Sequence, residues 1–118
     1  MQGTRFTVTF HIPGTLAANI TPVFTVPYDC SLLHVSAVAT NNSDATLKIG
    51  TTSDDDAYLT ACTIGDSSVP VEKVAADFVG TADPHIVDGT VMLLTLDFDG
   101  AGGTAAQNVT IVLTFSEG

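Results

Sequence analysis

Residues 5–12, RFTVTFHI, decide how this chain is read. Phe6, Val8, Phe10 and Ile12 alternate without a break with Arg5, Thr7, Thr9 and His11. A period of two over eight residues is the mark of a strand with one face buried and the other wet. Residues 108–116, NVTIVLTFS, repeat the pattern. Val109, Ile111, Leu113 and Phe115 point inward and Asn108, Thr110, Thr114 and Ser116 outward, with Val112 interrupting the outer face. Strong strands at the two ends of a sandwich are often neighbours.

Between them the same signals recur with turn residues at each break. TPVFTVPYD (21–29) is a short extended segment whose prolines mark an edge. SLLHVSAVAT (31–40) sets Leu33, Val35, Ala37 and Ala39 on one face. NNSD is a turn cluster, and ATLKIGT (45–51) alternates Ala45, Leu47 and Ile49 against Thr46 and Lys48. YLTACTIG (58–65) follows. Residues 66–89 are irregular, with one strand or a single helical turn near Val74 to Phe78. TVMLLTLDFDG (90–100) is apolar on both faces in its first half, as a central or covered strand is. Seven or eight short antiparallel strands with regular turns predict an all-β fold, a single β-sandwich over residues 1–118, jelly-roll-like or immunoglobulin-like. The absence of tryptophan disfavours a true immunoglobulin core. Residues 1–5 read as a candidate extended N-terminal arm.

Composition agrees. Hydrophobic residues make up 45% of the 118 and charged residues 14%, against about 25% charged in ordinary globular chains. The wet faces are built from Thr, Ser, Asn and Asp, which favour strands and turns, rather than from long helix formers. Three basic residues, Arg5, Lys48 and Lys73, face thirteen acidic ones, for a net charge of −10. That balance argues against nucleic acid and against an anionic membrane surface. No segment is long and apolar enough to span a bilayer. The opening MQGTRFTVTF lacks the basic-then-apolar pattern of a secretory signal. The sequons at Asn19, Asn41 and Asn108 are therefore expected to be idle. Cys30 and Cys62 read as two reduced, largely buried small hydrophobes, with a disulfide between adjacent strands as the alternative.

Sites of chemistry are sparse. Asp54, Asp55 and Asp56 fall between two strands, and adjacent aspartates on an extended backbone diverge. Asp97, Asp99 and Gly100 resemble the opening of a D-x-D-G calcium loop but lack the closing carboxylate. Asp54, Asp56, Asp97 and Asp99 are thus calcium candidates only, set below the reading of solvated loops. His11, His34 and His85 form no HxH or HExxH spacing, and no GxSxG is present. No catalytic residue, metal or other cofactor is expected. Carbohydrate recognition lacks its usual platforms, with Tyr28 and Tyr58 the sole tyrosines and no tryptophan. What remains is surface. Val91, Leu93 and Val112 lie opposite the expected core, so either another subunit covers them or the monomer curls into further layers. With Arg5 they are the interface candidates.

FTVTFHIP (6–13), residues 29–72 from DCSLLHVSAVAT to SSVPVE, and the ending DFDGAGGTAAQNVTIVLTFSEG together resemble small proteins that decorate or cement the heads of tailed bacteriophages. The resemblance is one of overall pattern and carries over no functional residue. It implies a non-enzymatic virion protein on the capsid exterior, made in the host cytoplasm, bound to the major capsid protein and trimeric. The alternative is a head-fibre or tail module gripping host-surface glycans, with or without calcium.

Overall fold

The computed structural model describes residues 4–98 and 103–117. Among these residues nine strands form: β1 (Arg5–Thr15), β2 (Val23–Thr25), β3 (Cys30–Val38), β4 (Thr46–Thr51), β5 (Leu59–Thr63), β6 (Val71–Lys73), β7 (His85–Ile86), β8 (Val91–Asp97) and β9 (Gln107–Glu117). A 3-10 turn at Ala75–Asp77 sits in the irregular stretch, where Asp77 Oδ2 accepts a hydrogen bond from Val74 N at 3.0 Å.

The strands make two antiparallel sheets. One runs β1-β9-β3-β6, with β7 also on β3, and the other runs β2-β8-β4-β5. The pairs β1/β9, β2/β8, β3/β6 and β4/β5 nest inside one another. The chain is therefore one long hairpin, with β4–β5 at its tip, rolled until β9 meets β3 and β8 meets β4. This is the jelly roll, and it decides between the two sandwich types that the sequence left open. The terminal strands pair over Arg5↔Ser116 to Ile12↔Val109.

The alternation read from the sequence is realised in β1, β4 and β9, and β8, apolar on both faces in its first half, turns Met92, Leu94 and Leu96 inward. Val109, Ile111, Leu113 and Phe115 are buried, as are Leu47, Ile49, Met92, Leu94 and Leu96, in one continuous core. Phe6, Val8, Phe10 and Ile12 are half-buried because β1 lies at a sheet edge. Rings close that edge. Phe6 stacks on Phe115 with centroids 4.9 Å apart, Phe24 of β2 meets Phe115 edge-on at 6.2 Å, and Phe10 leans on Phe24 at 5.7 Å. These rings tie the first and last strands to the opposite sheet.

In β3 one expectation is corrected. Leu32, not Leu33, enters the core. Leu32 pairs with Phe115 and His34 with Thr114, so Leu33 is an extra residue in a β-bulge that shifts the face of everything before it. A second irregularity, between Ile12 and Thr15 of β1, uses Gly14 at φ +79° and Asn108 at φ +49°. There Gly14 N donates to Asn108 Oδ1 at 2.8 Å.

All three sequon asparagines bind backbone or neighbouring side chains. Asn41 Oδ1 accepts from Gln107 N at 2.9 Å, and its Nδ2 donates to Ala105 O at 2.8 Å. Asn19 Oδ1 accepts from Phe98 N at 3.2 Å, and Asn108 Nδ2 donates to Thr40 Oγ1 at 3.2 Å. These side chains hold loops to strand ends where ladder bonds stop.

Candidate functional site

No enclosed pocket forms among the described residues, and each of the two sheets presents an outer face. Cross-strand partners lie on the same side of a sheet, and the register therefore maps each face in rows. On the outer face of the β1-β9-β3-β6 sheet the rows read Arg5–Ser116–Ser31, Thr7–Thr114–His34, Thr9–Val112–Ser36–Glu72 and His11–Thr110–Val38. It is a hydroxyl-rich surface with one arginine and one glutamate. His34 Nε2 lies 3.0 Å from Glu72 Oε1, and His11 Nδ1 lies 2.8 Å from Thr110 Oγ1. His85 is exposed at the start of β7.

The outer face of the β2-β8-β4-β5 sheet is different. Its rows read Thr25–Val91, Val23–Leu93–Gly50, Thr95–Lys48 and Asp97–Thr46–Thr63. One end is apolar: Val23 is 56% and Val91 40% exposed, with Leu93 half-buried between them. The other end is charged. Lys48 Nζ lies 2.9 Å from Asp55 Oδ2, and Asp55, Asp56 and Asp97 all hold the lysine pKa above its ordinary value, the Asp55 hydrogen bond first.

Gly50 joins the two ends. The turn after β4 folds back over it, so that a Cβ there would collide with Asp54 O and with the backbone of Asp55 and Ala57. Thr51 N donates to Asp54 O at 2.7 Å and Tyr58 N to Ile49 O at 3.0 Å, which closes the turn on the strand. Three adjacent aspartates converge only through a tight turn, and this turn supplies it. Asp54, Asp55 and Asp56, all exposed, bring carboxylate oxygens within 4.8 Å of one another. A hydrogen bond to Asp54 is the main cause of a raised pKa at Asp56, with the neighbouring charges adding to it. The cluster is at the tip of the rolled hairpin, where solvent reaches it from most sides.

Of the sequence-derived interface candidates, Val91 and Leu93 come together, whereas Val112 and Arg5 lie on the other sheet's outer face. Val23, the most exposed of the apolar strip, escaped the sequence because three residues of β2 are too few to show alternation. Its signal was the pair of prolines that makes β2 an edge. Asp97 ends β8 beside Lys48; Asp99 lies outside the described residues. Cys30 and Cys62 are both free and stand in different sheets, and burial pushes both thiols up. Tyr28 packs edge-on against Phe6 with centroids at 5.5 Å, and Tyr58 is half-buried, so neither stands out as a stacking platform.

No family model and no curated protein matches the chain. Among solved structures, a chain of the cyanophage Pam1 capsid asymmetric unit is similar, with a TM-score of 0.60 and 16% sequence identity, over 99% of this chain and 87% of that one. At that identity the likeness is one of fold, and it spans the whole sandwich.

Proposed function

We propose that this chain is a non-enzymatic virion structural protein, a decoration protein that binds the major capsid protein lattice of a tailed phage from outside and stabilises the shell, as a trimer. The observation that carries this reading is the nearly full-length fold likeness to a chain of a cyanophage capsid asymmetric unit. The geometry supports it physically. A shell-binding protein needs a stiff slab and a broad contact face, and this chain offers the outer faces of two packed sheets, with overall extents of 44 × 28 × 24 Å. Excess negative charge keeps a particle dispersed. Of the expected arm over residues 1–5, residues 1–3 lie outside the described residues, while Thr4 O accepts from Glu117 N at 2.8 Å and Arg5 pairs with Ser116 at the start of β1.

The glycan-binding alternative draws no support from Tyr28 and Tyr58, which are occupied in packing. Co-sedimentation of the purified chain with phage shells that lack it tests the proposal. Saturable pelleting with shells is expected, together with a light-scattering mass of three times the 12.2 kDa chain. A chain that stays in the supernatant at every shell concentration defeats the reading.

A further inference from the structure

We propose that the outer face of the β2-β8-β4-β5 sheet is the docking face, and that its partner there is a protein surface presenting apolar side chains flanked by lysine or arginine. This rests on the virion reading above and names the side of the slab that meets the shell.

The face has the anatomy of a small interface. Val23, Leu93 and Val91 form a continuous apolar strip across β2 and β8. Such a strip gains from being dried, and a polar rim beside it sets orientation and partner choice. Here the rim is acidic. The Asp54–Asp56 turn lies over Gly50, the cross-strand neighbour of Leu93, and Asp97 stands two rows further along. Among the described residues the opposite outer face carries Val112 between Thr9 and Ser36 and Val38 one row away, both half-buried, with no apolar cross-strand pair like Val23–Leu93.

Charge selects the occupant. The chain's three cations are Arg5, Lys48 and Lys73. Arg5 and Lys73 belong to the other sheet, and Lys48 is already paired with Asp55. A second copy meeting this face with its own would set aspartates against aspartates with no cation free on either side, a costly like-charge juxtaposition. A partner carrying lysine or arginine beside an apolar knob satisfies both halves of the surface.

The test uses phage shells lacking this chain as the probe. Val23→Asp with Leu93→Asp puts charge into the strip. Thr9→Asp with Ser36→Asp does the same on the opposite face. Asp54→Asn with Asp56→Asn changes only exposed side chains, so it reports on the rim even where the first pair fails to fold. The expected result is a loss of shell affinity of more than about tenfold for the strip pair and a clear loss for the rim pair. Binding by wild type should weaken as salt rises, and the opposite-face pair should bind as wild type. Equal binding by the strip and rim pairs alongside strong wild-type binding overturns the docking face and leaves the virion reading standing. Loss confined to the opposite-face pair does the same. A strip pair that turns an oligomer into monomers assigns the strip to another copy and also overturns the proposal. Wild-type protein that does not pellet defeats the virion reading itself.

Discussion

The carbonyl oxygen of Asp54 occupies the space that a Cβ on Gly50 would need. A side chain at residue 50, the cross-strand neighbour of Leu93, therefore displaces the turn that carries three aspartates. Gly50→Ala is expected to destabilise the protein by about 1–3 kcal/mol, the usual range for forced overpacking. It should also alter the amide spectrum of residues 51–58 before that of β9. Urea denaturation and a two-dimensional amide spectrum check both. Unchanged stability would mean that the turn does not rest on β4.

Asn41 stands between two chain segments, bonding Ala105 and Gln107 through opposite ends of one amide. Asn41→Ala leaves a backbone donor and an acceptor in a half-buried place without partners, a loss of about 2 kcal/mol. Asn41→Asp keeps the acceptor for Gln107 N and loses the donor, so it should fall between. Chemical denaturation of the three proteins orders them. Glycan attachment at Asn41 Nδ2 keeps the acceptor for Gln107 N and disturbs the bond to Ala105 O, so it should resemble the aspartate variant.

The two thiols should be inert in the native state. Burial raises both pKa values, so each stays protonated at neutral pH. A thiol whose folded pKa is raised contributes stability fully present below the unfolded value, and that contribution fades as pH rises through the folded one. Ellman titration should find little reaction in native protein at pH 7 and two thiols after unfolding. Native stability should decline on the alkaline side, and Cys62→Ala should soften that decline.

Asp56 follows the same sign as the thiols, against the usual direction for a carboxylate. Its folded pKa is raised by Asp54 and the neighbouring charges, so the charged form is disfavoured in the fold. The stabilising contribution is present at low pH and lost as pH rises through the folded value. Asp56→Asn is expected to melt slightly above wild type at pH 7, with the gap closing as pH falls below about 4. Melting curves with calcium and with chelator should superimpose for a solvated turn. A calcium-dependent rise that Asp54→Asn with Asp56→Asn abolishes would establish the metal site instead.

How much of this was legible depended on length of pattern. The alternations in β1 and β9 were long enough to give the faces, while their pairing is a relation across the fold that the register supplies. In β8 the sequence showed a strand apolar on both faces, with Val91 and Leu93 opposite the core, and the burial of Met92, Leu94 and Leu96 agrees with it. Leu33 misled because a bulge leaves no mark in composition: one unpaired residue reverses the face of its neighbours, and only the partner strand reveals it. The gathering of Asp54, Asp55 and Asp56 was hidden for a related reason. The turn that draws them together depends on Gly50 having no side chain on the outer face, a relation across the hairpin rather than along the chain. The three sequon asparagines looked like modification signals, yet each amide has a conformational task that no short motif encodes. Val112 and Leu93 both interrupt polar faces, and nothing in one dimension separates the two sides of a slab.

The nested pairing has a consequence for the order in which the protein comes into being. On a ribosome, β4 and β5 can close as soon as both have emerged, and β3 with β6, then β2 with β8, can zip outward from that tip. β1, made first, must wait with Phe6, Val8, Phe10 and Ile12 bare until β9 arrives. For that interval its greasy, unpaired backbone is the nascent chain's most exposed liability, open to capture by chaperones or by the same strand of a neighbouring polysome product. Aggregates formed during overproduction should therefore be seeded through residues 5–12, and supplying β9 in trans as a peptide should suppress them.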